Sequence, residues 1–174
     1  MGTDVIIEDP RWSEIELEEL AAQAVSATLR AEGLNADDWD VAVLGCDDNR
    51  ITELNVDFRE KSSATNVLSW PSEERSNSEA GKRPNPPTGD PELGDIAIAY
   101  ETTVKEAVDG KIPTSHHVTH LIVHATLHLL GYDHERDIDG DLMEAREIAI
   151  LETLGLPNPY QGDVARRALD DGKD

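Results

Sequence analysis

Residues 114–134, TSHHVTHLIVHATLHLLGYDH, contain all six histidines of a 174-residue chain, and their reading decides the fold and the site together. Thr114 or Ser115 can cap a helix, and the apolar residues that follow carry it to Gly131, which accepts the left-handed conformation that ends helices. At about 100° per residue, His124 and His128 lie roughly 40° apart on one helix face and one turn apart along it, so both imidazoles can reach one ion. The glycine then lets the chain turn back, and His134 completes the set H-x3-H-x5-H. Three neutral imidazoles leave a zinc ion its full charge and one coordination position open, as in catalytic rather than structural sites.

His120 shares the helix face of His124, which makes the two a rival pair. His120, His124 and His128 together span about 12 Å of helix rise, too much to surround one tetrahedral ion. No third ligand follows His120 and His124 as naturally as His134 follows His128, so His120 is expected to pack or to support a ligand. His116 and His117 read as ordinary surface or core residues. The spacing matches the extended zinc-protease signature, but the glutamate those enzymes place after the first histidine as general base is here Ala125. This argues against peptide hydrolysis by that mechanism.

Working outward, Val5 to Ile7 read as a strand, and Ser13-x-x-Glu16 as a capping box opening a helix that ends near Gly33. Residues 39–45 (WDVAVLG) read as a strand, followed by a helix that Asp47 or Asp48 caps and that carries Ile51, Leu54, Asn55 and Phe58 on one face. Residues 65–70 (TNVLSW), stopped by Pro71, and 94–100 (GDIAIAY) are further strands. Short helices at 101–109 and 141–154 flank the histidine helix. The order βαβαββααα predicts an α/β (α+β) fold, a mixed sheet covered by helices. Residues 72–93, rich in Pro, Ser, Asn and Gly, predict an exposed loop.

The chain length suits one domain spanning 1–174, and no run approaches the roughly 20 apolar residues of a membrane helix. The first residues lack the pattern of a secretory signal, and the single cysteine, Cys46, has no internal disulfide partner, so a reducing cytoplasm is expected. Cys46 itself reads as inert packing. The net charge of −22 repels polyanions at long range and argues against a sequence-blind nucleic-acid coat protein. The charge is uneven, however. Residues 50–83 hold six bases (Arg50, Arg59, Lys61, Arg75, Lys82, Arg83) and six acids, leaving nine bases against thirty-one acids elsewhere, so an anionic ligand should prefer that neutral surface.

The chain resembles the YbeY endoribonucleases, zinc-dependent bacterial RNA-maturation factors. HATLHLLGYDH at 124–134 is similar to the family's HGxLHLLGYDH, with Ala125 for the usual glycine. The blocks NVDFREK at 55–61, TNVLSWP at 65–71, GDIAI at 94–98 and MEAREIAIL at 143–151 also agree, in order. Departures are Trp70 where the family usually has Phe, Asn66 where Asp is common, and the length of the 72–93 loop.

The resemblance implies a mixed four-stranded sheet, one Zn2+ per chain on His124, His128 and His134, and single-strand-specific cleavage of RNA in ribosomal RNA maturation and ribosome quality control. It implies a key arginine, which maps to Arg59. Arg59 closes the Ile51 to Phe58 helix beside Lys61, and its forked donors suit a phosphate bidentately. Zinc and Arg59 would supply the positive charge a five-coordinate phosphorane transition state needs, and zinc acidifies water without a strong neighbouring base, so Ala125 is compatible with phosphodiester chemistry. Asp133 is a candidate general base, or an orienting partner for a ligand. Met143 could floor the metal site or simply fill the core, and Glu144 and Glu147 read as a solvated helix face. The acidic balance also suits a non-catalytic assembly factor that reaches RNA through a small-subunit ribosomal protein or an assembly GTPase. A zinc hydrolase of another substrate would need a base from outside the motif.

Overall fold

The elements follow in the order β1 (Thr3–Ile7), α1 (Arg11–Glu14), α2 (Leu17–Ala31), β2 (Asp40–Cys46), α3 (Asp48–Arg59), β3 (Val67–Pro71), β4 (Glu92–Ala99), α4 (Tyr100–Gly110), α5 (Thr114–Leu129) and α6 (Asp137–Thr153). The protein's computed structural model describes residues 2–59, 65–75, 79–134 and 136–160, the side chains of 56–59 excepted. The strands form one mixed sheet in the order β1-β2-β4-β3. β1, β2 and β4 run parallel, with Val5 opposite Val43 and Val43 opposite Ile96. β3 is the antiparallel edge, with Leu68 opposite Ala97, and Pro71 ends it where a missing ladder donor costs little.

Strand alternation sorts the residues into two cores. Val41, Val43, Ile96 and Ile98 point to one face, where they meet Leu17, Ala21, Val25 and Leu29 of α2 and Val118, Leu121 and Ile122 of α5. Cys46, Leu68, Ala97 and Ala99 point to the other, under Ile51 of α3. α5 is packed by α2, α4, α6, β3 and β4, which explains why its residues from His117 to Leu127 are all buried. A helix buried on every side needs neighbours all round it, as here. Its many β-branched residues lower its intrinsic propensity, so packing rather than local preference holds it.

Several local expectations are corrected. The Ser13–Glu16 capping box does not form: α1 ends at Glu14, Glu16 adopts a left-handed conformation with φ 61°, and α2 begins at Leu17 with no side-chain cap. The cause lies in Trp12 and Leu17, both fully buried. On a continuous helix residues five apart point about 140° away from each other, so both reach the core only if the helix breaks between them. Trp12 donates its indole N–H to the Cys46 carbonyl at 2.8 Å. Pro113 rather than Thr114 or Ser115 holds the cap position of α5, and α6 begins at Asp137, four residues before the expected 141. Asp47 does cap α3, its carboxylate accepting from the Arg50 backbone N–H at 2.8 Å. Residues 72–75 and 79–91 contain no helix or strand and are mostly exposed, apart from Arg75 and Pro87, which are buried. None of the helices in the described residues is long and apolar enough to cross a membrane.

Candidate metal centre

The carboxyl end of α5 and the turn after it bring His124, His128 and His134 together. One ligating atom from each lies within 4.8 Å of the others. The rings of His124 and His128 are 4.8 Å apart and nearly perpendicular, those of His128 and His134 are 5.0 Å apart, and His124 stacks on His134 at 5.6 Å. Three converging imidazoles, one buried and two half-buried, are nitrogen donors spaced to hold a single metal ion. Burial, reinforced by the neighbouring His124 and His134, holds the His128 pKa well below the ordinary histidine value. That ring is therefore neutral near pH 7, the form a metal requires.

The turn that delivers His134 is built by Gly131. The Tyr132 N–H donates to the Leu127 carbonyl at 3.0 Å and the Gly131 N–H to the His128 carbonyl at 3.0 Å, the paired bonds of a helix end closed by a left-handed residue. Gly131 has φ 108°, and a Cβ there would lie 2.6 Å from the Arg75 carbonyl carbon and oxygen. Arg75 is held in that place by its own guanidinium, which donates to the last helical carbonyl, Leu129, at 2.9 Å and to the Ser72 hydroxyl at 2.9 Å. Gly131→Ala therefore meets both a strained φ and a backbone clash. A cost of about 3 kcal/mol or more is expected, read as a melting temperature lower by roughly 6–12 °C at about 2–4 °C per kcal/mol for a chain of this size. An unchanged melting temperature would contradict this account of the turn.

Glu147 of α6 is the residue the sequence reading missed. Taken there as part of a solvated face, it is only 1% exposed. Its Oε2 is 3.1 Å from Nδ1 of His124, and its Oε1 is 2.7 Å from Nε2 of His120. The Tyr160 hydroxyl donates to the same Oε1 at 2.6 Å. Burial alone would raise the carboxyl pKa, but His124 and His120 outweigh it and hold the group below the usual carboxylate range. His120, kept below the ordinary histidine value by burial, is thus a partner of Glu147 and not a member of the three-histidine group, against the rival pairing.

The other candidates fall in distinct places. Asp133 accepts the His134 backbone N–H at 2.7 Å, fixing the turn that carries the third histidine. Met143 is buried in the main core. His117 points its Nε2 at Glu106 Oε1, 2.9 Å away, and is a core residue as expected. Cys46 is fully buried and its thiol is pushed up to about 12, chiefly by burial, so it is inert near neutral pH. Arg59 is the last residue of α3, its side chain outside the described residues, and Lys61 lies outside them altogether.

Fold and site together define an α+β protein with a helix-borne three-histidine cluster of the kind that metal-dependent hydrolases use. The family model described as Endoribonuclease YbeY matches residues 5–155, and the chain belongs to that family. Proteins named Endoribonuclease YbeY from a Ruegeria species and from Cereibacter sphaeroides are each 55% identical to it, covering 92% and 90% of this chain and 96% and 97% of their own. One from a Jannaschia species is 49% identical, over 92% of this chain and 100% of its own. A Thermotoga maritima protein solved in solution shares the fold, with a TM-score of 0.53 at 19% identity over 88% of this chain and 91% of that one.

Proposed function

We propose that the protein is a zinc-dependent endoribonuclease that cuts single-stranded RNA, with ribosomal RNA as substrate and 16S rRNA 3′-end maturation and ribosome quality control as its task. The observation that carries this reading is the convergence of His124, His128 and His134 in a chain of the YbeY family. Three neutral nitrogen donors suit zinc, and His124, His128 and His134 would hold it. When bound, zinc supplies Lewis acidity and a lowered pKa for water. Arg59, at the carboxyl end of α3, contacts the scissile phosphate bidentately and opposes the charge that builds up in the transition state. Lys61, two residues further along the sequence, adds positive charge. The turn made by Gly131 and Asp133 keeps His134 in place.

The net charge of −22 favours delivery to the ribosome by a protein partner, a small-subunit ribosomal protein or an assembly GTPase, since long-range attraction of RNA is absent. The same charge is the one observation that favours a second reading, a docking factor that does not cut. The reading assigns the protein to the cytoplasm. The experiment offers the zinc-loaded protein an internally labelled single-stranded RNA and its duplex. Internal cuts in the single strand with the duplex spared are expected. Binding to pre-ribosomal particles without any cutting would favour the docking factor.

A further inference from the structure

We infer that Glu147 is the positioning residue of the metal centre, and that His120 and Tyr160 hold its carboxylate for that task; the inference rests on the metal reading above. Glu147 Oε2 faces Nδ1 of His124 at 3.1 Å, so the contact occupies that ring nitrogen and turns Nε2 away from Glu147. With the ring proton on Nδ1, Nε2 is the lone-pair nitrogen available to a metal. Both carboxylate oxygens are engaged. Oε2 serves His124, while Oε1 takes His120 Nε2 at 2.7 Å and the Tyr160 hydroxyl at 2.6 Å. The group cannot rotate away from His124 without losing two other hydrogen bonds.

The bracing comes from three separate segments. His120 lies one turn before His124 on α5, Glu147 projects from α6, and Tyr160 comes from the chain that follows α6. The Tyr160 ring packs edge-on against His120, 5.4 Å between centroids at 89°. The residues that return across the site after Thr153 thereby become part of the metal centre, and metal retention depends on them as well as on the histidine motif.

The test compares zinc affinity, by competition with a chromophoric chelator, in wild type, Glu147→Gln, Glu147→Asp and Tyr160→Phe. A glutamine can accept from only one of the two imidazoles, and its NH2 demands an unprotonated nitrogen on the other. Glu147→Gln should raise the zinc Kd by roughly 10- to 100-fold. Tyr160→Phe, which removes one of three donors, should raise it on the order of fivefold, and Glu147→Asp should recover part of the loss. The 15N shifts of the His124 ring in metal-free protein at one fixed pH provide the readout that a merely structural role would not move. Wild type should show a protonated Nδ1 and a bare Nε2, and Glu147→Gln a mixture. Equal zinc affinities and equal tautomers in wild type and Glu147→Gln would overturn the inference alone. Should Glu147→Gln not fold, unchanged affinity in Tyr160→Phe would overturn it equally. A wild type that holds no zinc would overturn the metal reading itself.

Discussion

Replacing His128 by alanine should strip the protein of metal. About one zinc per chain is expected in wild type, and two remaining imidazoles hold the ion poorly. The loss in affinity should exceed the roughly 10- to 100-fold that removal of an outer partner costs. Folding should suffer much less, because His128 is only half-buried and its removal leaves no buried charge without a partner. Elemental analysis after gel filtration checks the outcome. His120→Ala is the informative contrast: it removes a partner of Glu147 and should weaken zinc without emptying the site. The reverse ranking, with full metal in His128→Ala and none in His120→Ala, would show that the rival histidine pair holds the ion.

The second large effect concerns Arg59. Reversal of its charge in Arg59→Glu should abolish RNA cleavage while leaving zinc content and melting temperature nearly unchanged, since a helix-end arginine contributes little to folding but its replacement would repel phosphate and transition state alike. Arg59→Lys should retain part of the activity. A point charge cannot reproduce two parallel hydrogen bonds, so about 1–3 kcal/mol of transition-state stabilisation is lost, or roughly 5- to 150-fold in kcat/KM. Undiminished cleavage by Arg59→Glu would remove this residue from the active site.

The histidine cluster was legible because one helix and one glycine determine it: four-residue spacing on α5 aligns His124 with His128, and Gly131 returns His134 to them. The alternation of Ile96 and Ile98 with alanines likewise announced a strand, and the structure assigns the isoleucines and the alanines to separate cores. Glu147 was not legible in the same way, because its partners are 23 and 27 residues away on another helix. Yet a signal was present. Met143, Glu147, Ile150 and Leu151 are all buried and fall at the spacing of a single helical stripe. A glutamate in the middle of an apolar stripe, in a chain whose central helix carries several histidines, is the expected partner for them. The break between α1 and α2 escaped for a related reason: a local capping pattern was outweighed by the burial of Trp12 and Leu17, which only the tertiary structure reveals.

The central claim, that these three histidines hold the zinc with which the protein cuts RNA, is tested most directly by removing and restoring the metal. Single-stranded RNA is incubated with protein stripped by a chelator, with the same protein after return of one equivalent of zinc, and with His128→Ala prepared in parallel. The account predicts intact RNA in the first case, internal cleavage in the second, and intact RNA in the third. Cleavage that persists in the stripped protein, or that His128→Ala matches, would contradict it.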